Sequence, residues 1–156
     1  QCRLDRGVRE LFGKGHMTRP RYERPQDLAN EQHVAGVMDN LGYGLEKLPM
    51  QYRMDFAIFK NGDCLGFAEV KARTFEMNKY QTVMISLSKV LAARYLTQHT
   101  GLPCYLIVKY IDVIVRLDFA DPFVLRMGGR ADRGDAQDRD VCAFYSTERF
   151  TVVSHL

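Results

Sequence analysis

Glu69 and Lys71, in the stretch Gly66-Phe67-Ala68-Glu69-Val70-Lys71-Ala72, are a carboxylate and an ammonium two positions apart in a run that reads as a buried β-strand. Side chains at i and i+2 of a strand share a face. The two charges therefore stand side by side on a surface whose neighbours are mostly apolar. A second carboxylate, Asp55, precedes Glu69 with thirteen residues between them. Carboxylates brought together repel and raise each other's pKa. A divalent cation removes that penalty, and hard oxygen ligands suit Mg²⁺ or Mn²⁺. The competing reading is a structural salt-bridge cluster in which Lys71 neutralises one acid. Buried ion pairs add little net stability over apolar residues, so stability alone is a poor reason to gather three charges here.

Whether Asp55 meets Glu69 depends on a hairpin. Residues 52–60 and 64–73 are β-rich runs, and Asn61-Gly62 between them is a strong hairpin signal. A two-residue turn pairs Lys60 with Asp63 and Asp55 with Ala68, which leaves Asp55 on the face away from Glu69 and Lys71. A three-residue loop, Lys60-Asn61-Gly62 with Gly62 left-handed, pairs Phe59 with Asp63 and Asp55 with Phe67. Asp55 then shares the face of Glu69. The local residues permit both loops.

The surrounding elements must position these groups. Residues 27–41 form a helix whose apolar stripe is Leu28, Val34, Ala35, Met38 and Leu41. Glu31 falls at the centre of that stripe, either as a further acid for the site or as a first-turn residue facing the helix dipole. Residues 82–98 read as a second helix, apolar on nearly every side. Lys89 shares a stripe there with Ile85, Ala92 and Leu96, an apolar setting in which a lysine either completes a site or snorkels to solvent. Residues 103–110 and 112–119 give two more strands, 126–140 a charge-balanced loop, and 141–153 a final strand or two. Arg126, Arg130, Arg133 and Arg139 alternate in that loop with Asp132, Asp135, Asp138 and Asp140, which describes a solvated loop rather than a clamp. The order is roughly α-β-β-α-β-β-β, an α/β (α+β) fold with a mixed sheet flanked by helices.

Composition narrows the function classes. The 156 residues, 46% hydrophobic and 26% charged, suit a single globular domain over residues 25–156. The longest apolar run, Leu102 to Val108, is far short of the ~18 residues that span a bilayer, so no membrane is expected. Cys2, Cys64, Cys104 and Cys142 are far apart with no CxxC pair, which fits reduced thiols in the cytoplasm and argues against a zinc site. Residues 1–24 hold seven Lys/Arg against three Asp/Glu. This basic N-terminal arm either contacts phosphates or is a solvated tail. Gly15-His16-Met17 resembles a cloning junction or an internal start codon, in which case residues 1–16 carry no functional information.

Asp55, thirteen residues, then Glu69-Val70-Lys71 resembles the PD-(D/E)xK signature of the restriction-endonuclease-like nuclease superfamily. The whole stretch from about Arg19 to Leu156 is similar to its small phage- and prophage-encoded members. "EVKARTFEMNKYQTVMISLSKVLAA" resembles their ExK strand, following loop and helix. Met54 stands where the name-giving motif has Pro. The resemblance implies a restriction-endonuclease-like core and metal-assisted hydrolysis of DNA phosphodiesters with Mg²⁺ or Mn²⁺. It implies that Asp55, Glu69 and the Val70 carbonyl bind metal, with Glu31 completing the shell or holding a second ion. Lys71 would orient or deprotonate the attacking water, or stabilise charge at the scissile phosphate, and Lys89 would help complete the site. Asn78, Lys79, Tyr80 and Gln81, in the loop before the second helix, are candidates for contacts to nucleic acid. The alternative on the same fold is an inactive nucleic-acid-binding or assembly protein. DNA is the expected partner, and a homo-oligomer is compatible with the sequence.

Overall fold

The protein is described by a computed structural model covering residues 24–129 and 138–156. Helix α1 spans Pro25–Asn40 and α2 spans Leu87–Thr100. The strands are β1 Gly44–Lys47, β2 Phe56–Lys60, β3 Asp63–Ala72, β4 Thr82–Ser86, β5 Cys104–Lys109, β6 Val113–Asp118, β7 Phe123–Gly129, β8 Arg139–Ser146 and β9 Thr151–His155. Among the described residues they form a mixed sheet ordered β1-β2-β3-β5-β6-β9 and a smaller one ordered β4-β8-β7. The β3–β5 pair is parallel, and α2 lies in the crossover between those strands. This is the mixed, helix-flanked sheet that the sequence implies.

Alternation along the strands builds two cores. Phe56, Ile58, Ala68, Val70, Ile107 and Ile114 bury one face of the larger sheet under Val34 and Met38 of α1. Ala57, Phe67, Leu106, Val108 and Val115 bury the other face under Val90 and Ala93 of α2, with Ala143 and Tyr145 of β8 closing the layer. Leu28 and Leu41, expected in the α1 stripe, are 41% and 49% exposed, so the buried line of α1 is narrower: Glu31, Val34 and Met38. Pro25 opens α1, where the Arg24 N–H donates to Asp27.

Three expectations need correction. Residues 82–86 are strand, not helix. Thr82, Val83 and Ile85 favour the extended chain, Val83 and Ile85 face the core, and the Ser86 hydroxyl accepts the Ser88 N–H to start α2 at Leu87. The putting of residues 126–140 into a loop is wrong at both ends, since Arg126–Gly129 finish β7 and Arg139 opens β8. Residues 130–137, including Arg130 and Arg133, lie outside the described residues. The run 52–60 is not one strand: Met50–Tyr52 is a 3₁₀ turn, Arg53 is left-handed at φ 59°, and β2 starts only at Phe56. Strand β1 adds a short partner for β2. The basic arm 1–24 lies almost wholly outside the described residues.

Candidate active site

The hairpin combines a two-residue turn with a bulge. Lys60 pairs with Asp63 across Asn61 (φ 52°) and Gly62 (φ 84°), the two positive φ values of a type I′ turn. One step further the ladder shifts: Phe59 pairs with Cys64 but Ile58 with Gly66, which leaves Leu65 as the extra residue. The site end of the hairpin therefore has the register Phe56–Ala68. Neither loop considered from sequence gives that pairing. Continued by one residue it brings Asp55 level with Glu69, so the bulge undoes the separation that a plain Asn-Gly turn would impose.

Asp55 then joins β3 through both backbone and side chain. Its N–H donates to the Ala68 carbonyl at 3.0 Å, and its Oδ2 accepts the Val70 N–H at 2.8 Å. The chain turns away at Arg53, so the Asp55 carboxylate takes the place on the ladder that a longer β2 would fill. A strand residue directs its N–H and C=O to the same side. The Val70 carbonyl is thus aimed past the end of β2, beside Asp55.

Glu69 is 1% exposed on the α2 side of the sheet. Its Oε1 is 2.8 Å from the Lys71 ammonium and its Oε2 is 2.8 Å from that of Lys89. Lys89 also donates to the Arg53 carbonyl at 2.8 Å, which ties α2 to the segment that presents Asp55. Glu31 comes from α1, on the opposite face of the sheet, and is ion-paired with Lys47 at the end of β1. Both line the same cleft as Asp55, Glu69, Val70, Lys71 and Lys89, a space of about 500 Å³. Five Lys/Arg and four Asp/Glu border it.

The electrostatics follow from this crowding. Burial raises the Asp55 pKa from 3.8 to about 6, and the Glu69 and Glu31 charges push the same way. The Val70 N–H and the Lys71 ammonium oppose them. Such an acid gains from a nearby cation. Asp55, Glu69 and the Val70 carbonyl are all oxygen donors, which fit a hard divalent ion by type; Mg²⁺ commonly takes one or two carboxylates and keeps waters. Among the described residues, no three His, Cys, Asp or Glu side chains form a ready metal cage. Both Glu69 oxygens instead face ammonium groups, which supply the positive charge the carboxylate needs.

The structure thus brings together Asp55, Glu69, Val70, Lys71 and Lys89, with Glu31 at the rim. It does not bring the loop candidates into that cleft. Asn78 and Lys79 end the 3₁₀ turn Met77–Lys79, Tyr80 is exposed, and the Gln81 carbonyl accepts from the Thr147 N–H. The Lys79 ammonium lies 5.1 Å from the Phe75 ring centroid and 5.4 Å from that of Tyr80. Sequence reasoning missed Lys47, because the four-residue β1 was not recognised, and Arg53, because nothing marks a non-glycine left-handed residue.

No helix among the described residues is long and apolar enough to cross a membrane. No curated protein matches the sequence. A solved structure of Hjc, a Holliday junction resolvase from the archaeal hyperthermophile Archaeoglobus fulgidus, is similar in fold. It is 12% identical with a TM-score of 0.55, and the match covers 79% of this chain and 85% of that one. The family model described as "Phage putative PDDEXK endonuclease" matches residues 17–153. The ExK strand, the Asp55 that meets it and the enclosing fold agree with that match, and the chain belongs to this phage PDDEXK endonuclease family.

Proposed function

We propose that the protein is a metal-dependent deoxyribonuclease that hydrolyses DNA phosphodiester bonds in phage replication, recombination or repair. The observation that carries this reading is the convergence of Asp55, Glu69, Lys71 and Lys89 on one cleft, where burial and the neighbouring Glu69 raise the Asp55 pKa to about 6. Asp55, Glu69 and the Val70 carbonyl would hold Mg²⁺ or Mn²⁺, with Glu31 at the edge of the shell. When bound, such an ion activates water and offsets charge on the phosphoryl oxygens.

The protein's own groups divide the remaining work. Lys71 is the more exposed of the two lysines, 38% against 20% for Lys89. Its ammonium has three donors, one of which reaches Glu69, so it can orient water or meet a phosphate oxygen. Lys89 is a positioning residue: it fixes one Glu69 oxygen and holds the Arg53 turn in place. The Val70 N–H fixes the rotation of the Asp55 carboxylate. The basic residues around the cleft attract the DNA backbone.

Purified protein incubated with plasmid, single-stranded and branched DNA, with and without Mn²⁺, tests the proposal. Cleavage that requires the metal and is lost on Lys71→Ala supports it. Metal-dependent cleavage that survives both Lys71→Ala and Glu69→Ala places the chemistry elsewhere.

A further inference from the structure

A second groove adjoins the cleft. It is lined by Gln51, Tyr52 and Arg53 from the 3₁₀ turn and by Leu91, Ala92, Tyr95 and Leu96 from α2, with a volume of about 440 Å³. Arg53 borders both spaces. Tyr52 is 43% exposed and Tyr95 63% exposed, with the Tyr95 ring packed on His99 at 4.3 Å.

Arg53 is the informative residue. At φ 59° glycine would be unstrained, whereas a side chain costs roughly 1 kcal/mol or more. The fold itself uses the Arg53 backbone, whose carbonyl holds Lys89. The guanidinium makes no hydrogen bond or ion pair with any described residue. A strained, exposed arginine between the charged cleft and an aromatic groove has the chemistry for an anionic ligand with a planar apolar part. Guanidinium groups bind phosphate oxygens in a fork, and tyrosine faces stack bases.

Building on the nuclease reading, we infer that this groove receives an unpaired nucleobase next to the phosphate held in the cleft. Arg53 contacts the phosphate between the two spaces, while Tyr52 and Tyr95 stack the base. The preferred substrate is therefore a strand with unpaired nucleotides beside the scissile bond, such as a flap, a gap or a branch, rather than continuous duplex. Paired bases are already stacked within the helix and cannot enter the groove.

The test is binding of the full chain, in EDTA, to a single-stranded oligonucleotide carrying 2-aminopurine, followed by anisotropy and 2-aminopurine fluorescence. Tyr95→Ala and Tyr52→Ala remove exposed rings. Arg53→Gly keeps the left-handed turn and the carbonyl that Lys89 uses. The wild-type protein is expected to change 2-aminopurine emission on binding, and each variant to weaken binding by about tenfold, as for the loss of one stacked base or a charged fork. Tyr95→Phe should retain the stacking. Binding and emission unchanged in all three variants would overturn the inference. So would a groove that instead joins two copies of the chain, seen as a dimer in sedimentation that Tyr95→Ala dissociates with no effect on the oligonucleotide. Absence of cleavage with Mn²⁺, together with the expected binding losses, would reject the nuclease reading and leave the groove assignment standing.

Discussion

The Asp55 carboxylate accepts the Val70 N–H at 2.8 Å, so a side chain completes a strand ladder that the backbone leaves unfinished. The bond seats Asp55 beside Glu69, on the side of β3 to which strand geometry also directs the Val70 carbonyl. It also lowers the Asp55 pKa, yet burial and the neighbouring acids outweigh it and leave the group near 6.

That balance predicts a pH-dependent weakness in the metal-free protein. The folded pKa of about 6 lies above the ordinary 3.8. Folding therefore favours protonated Asp55, and this contribution is full below pH 4 and lost as pH rises through 6. Two units correspond to about 3 kcal/mol at most, which partial exposure reduces to about 1–2 kcal/mol. Asp55→Asn should therefore match wild type near pH 4 and be more stable by about that amount at pH 8, by urea denaturation in EDTA. Equal stability at both pH values would contradict this.

Glu69→Ala should destabilise by about 2 kcal/mol. Removing one partner of a fully buried pair usually costs more, but Lys71 is partly exposed and can turn to solvent. Glu69→Gln keeps the shape while presenting an amide N–H₂ to an ammonium, and should reduce cleavage at least about a hundredfold. Denaturation curves and cleavage rates measured on the same preparations check both values.

The two lysines should separate. Lys71→Ala should leave stability within about 1 kcal/mol of wild type, since Lys71 is partly exposed and the buried Glu69 keeps Lys89 as a partner, and abolish cleavage. Lys89→Ala removes the link between α2 and Arg53 as well as the Glu69 contact. It should therefore cost stability, by about 1–3 kcal/mol, as well as activity. A thermal shift larger for Lys71→Ala than for Lys89→Ala would reverse the assigned roles.

The sequence revealed those features that depend on neighbouring residues. The Asn61-Gly62 turn, the same-face Glu69 and Lys71, and Glu31 within an apolar helix face all follow from local spacing. What it hid depends on distant contacts. The bulge at Leu65 adjoins Gly66, where a Cβ would come within 2.5 Å of the Pro103 carbonyl on the chain entering β5. No local pattern reports that approach, so the register could not be chosen. Strand β4 was hidden because Val83 and Ile85 continue the apolar pattern of α2 without a break in composition. Lys47 was hidden because Gly44–Lys47 is too short to show alternation.

Gly66→Ala tests that long-range constraint. The obstructing atom is backbone, so β3 and β5 must part or the bulge must move. The expected loss is about 1–3 kcal/mol, with reduced cleavage because Glu69 lies three residues along the same strand. A variant of wild-type stability would show that the approach is not fixed.

In the proposed function, Asp55 and Glu69 form one cation-dependent site. Titration of Mn²⁺ into the protein by calorimetry, for wild type, Asp55→Asn and Glu69→Gln, tests it most directly. Wild type is expected to bind saturably, and each variant to lose that binding or weaken it at least about tenfold. Binding of equal strength in all three proteins would contradict it.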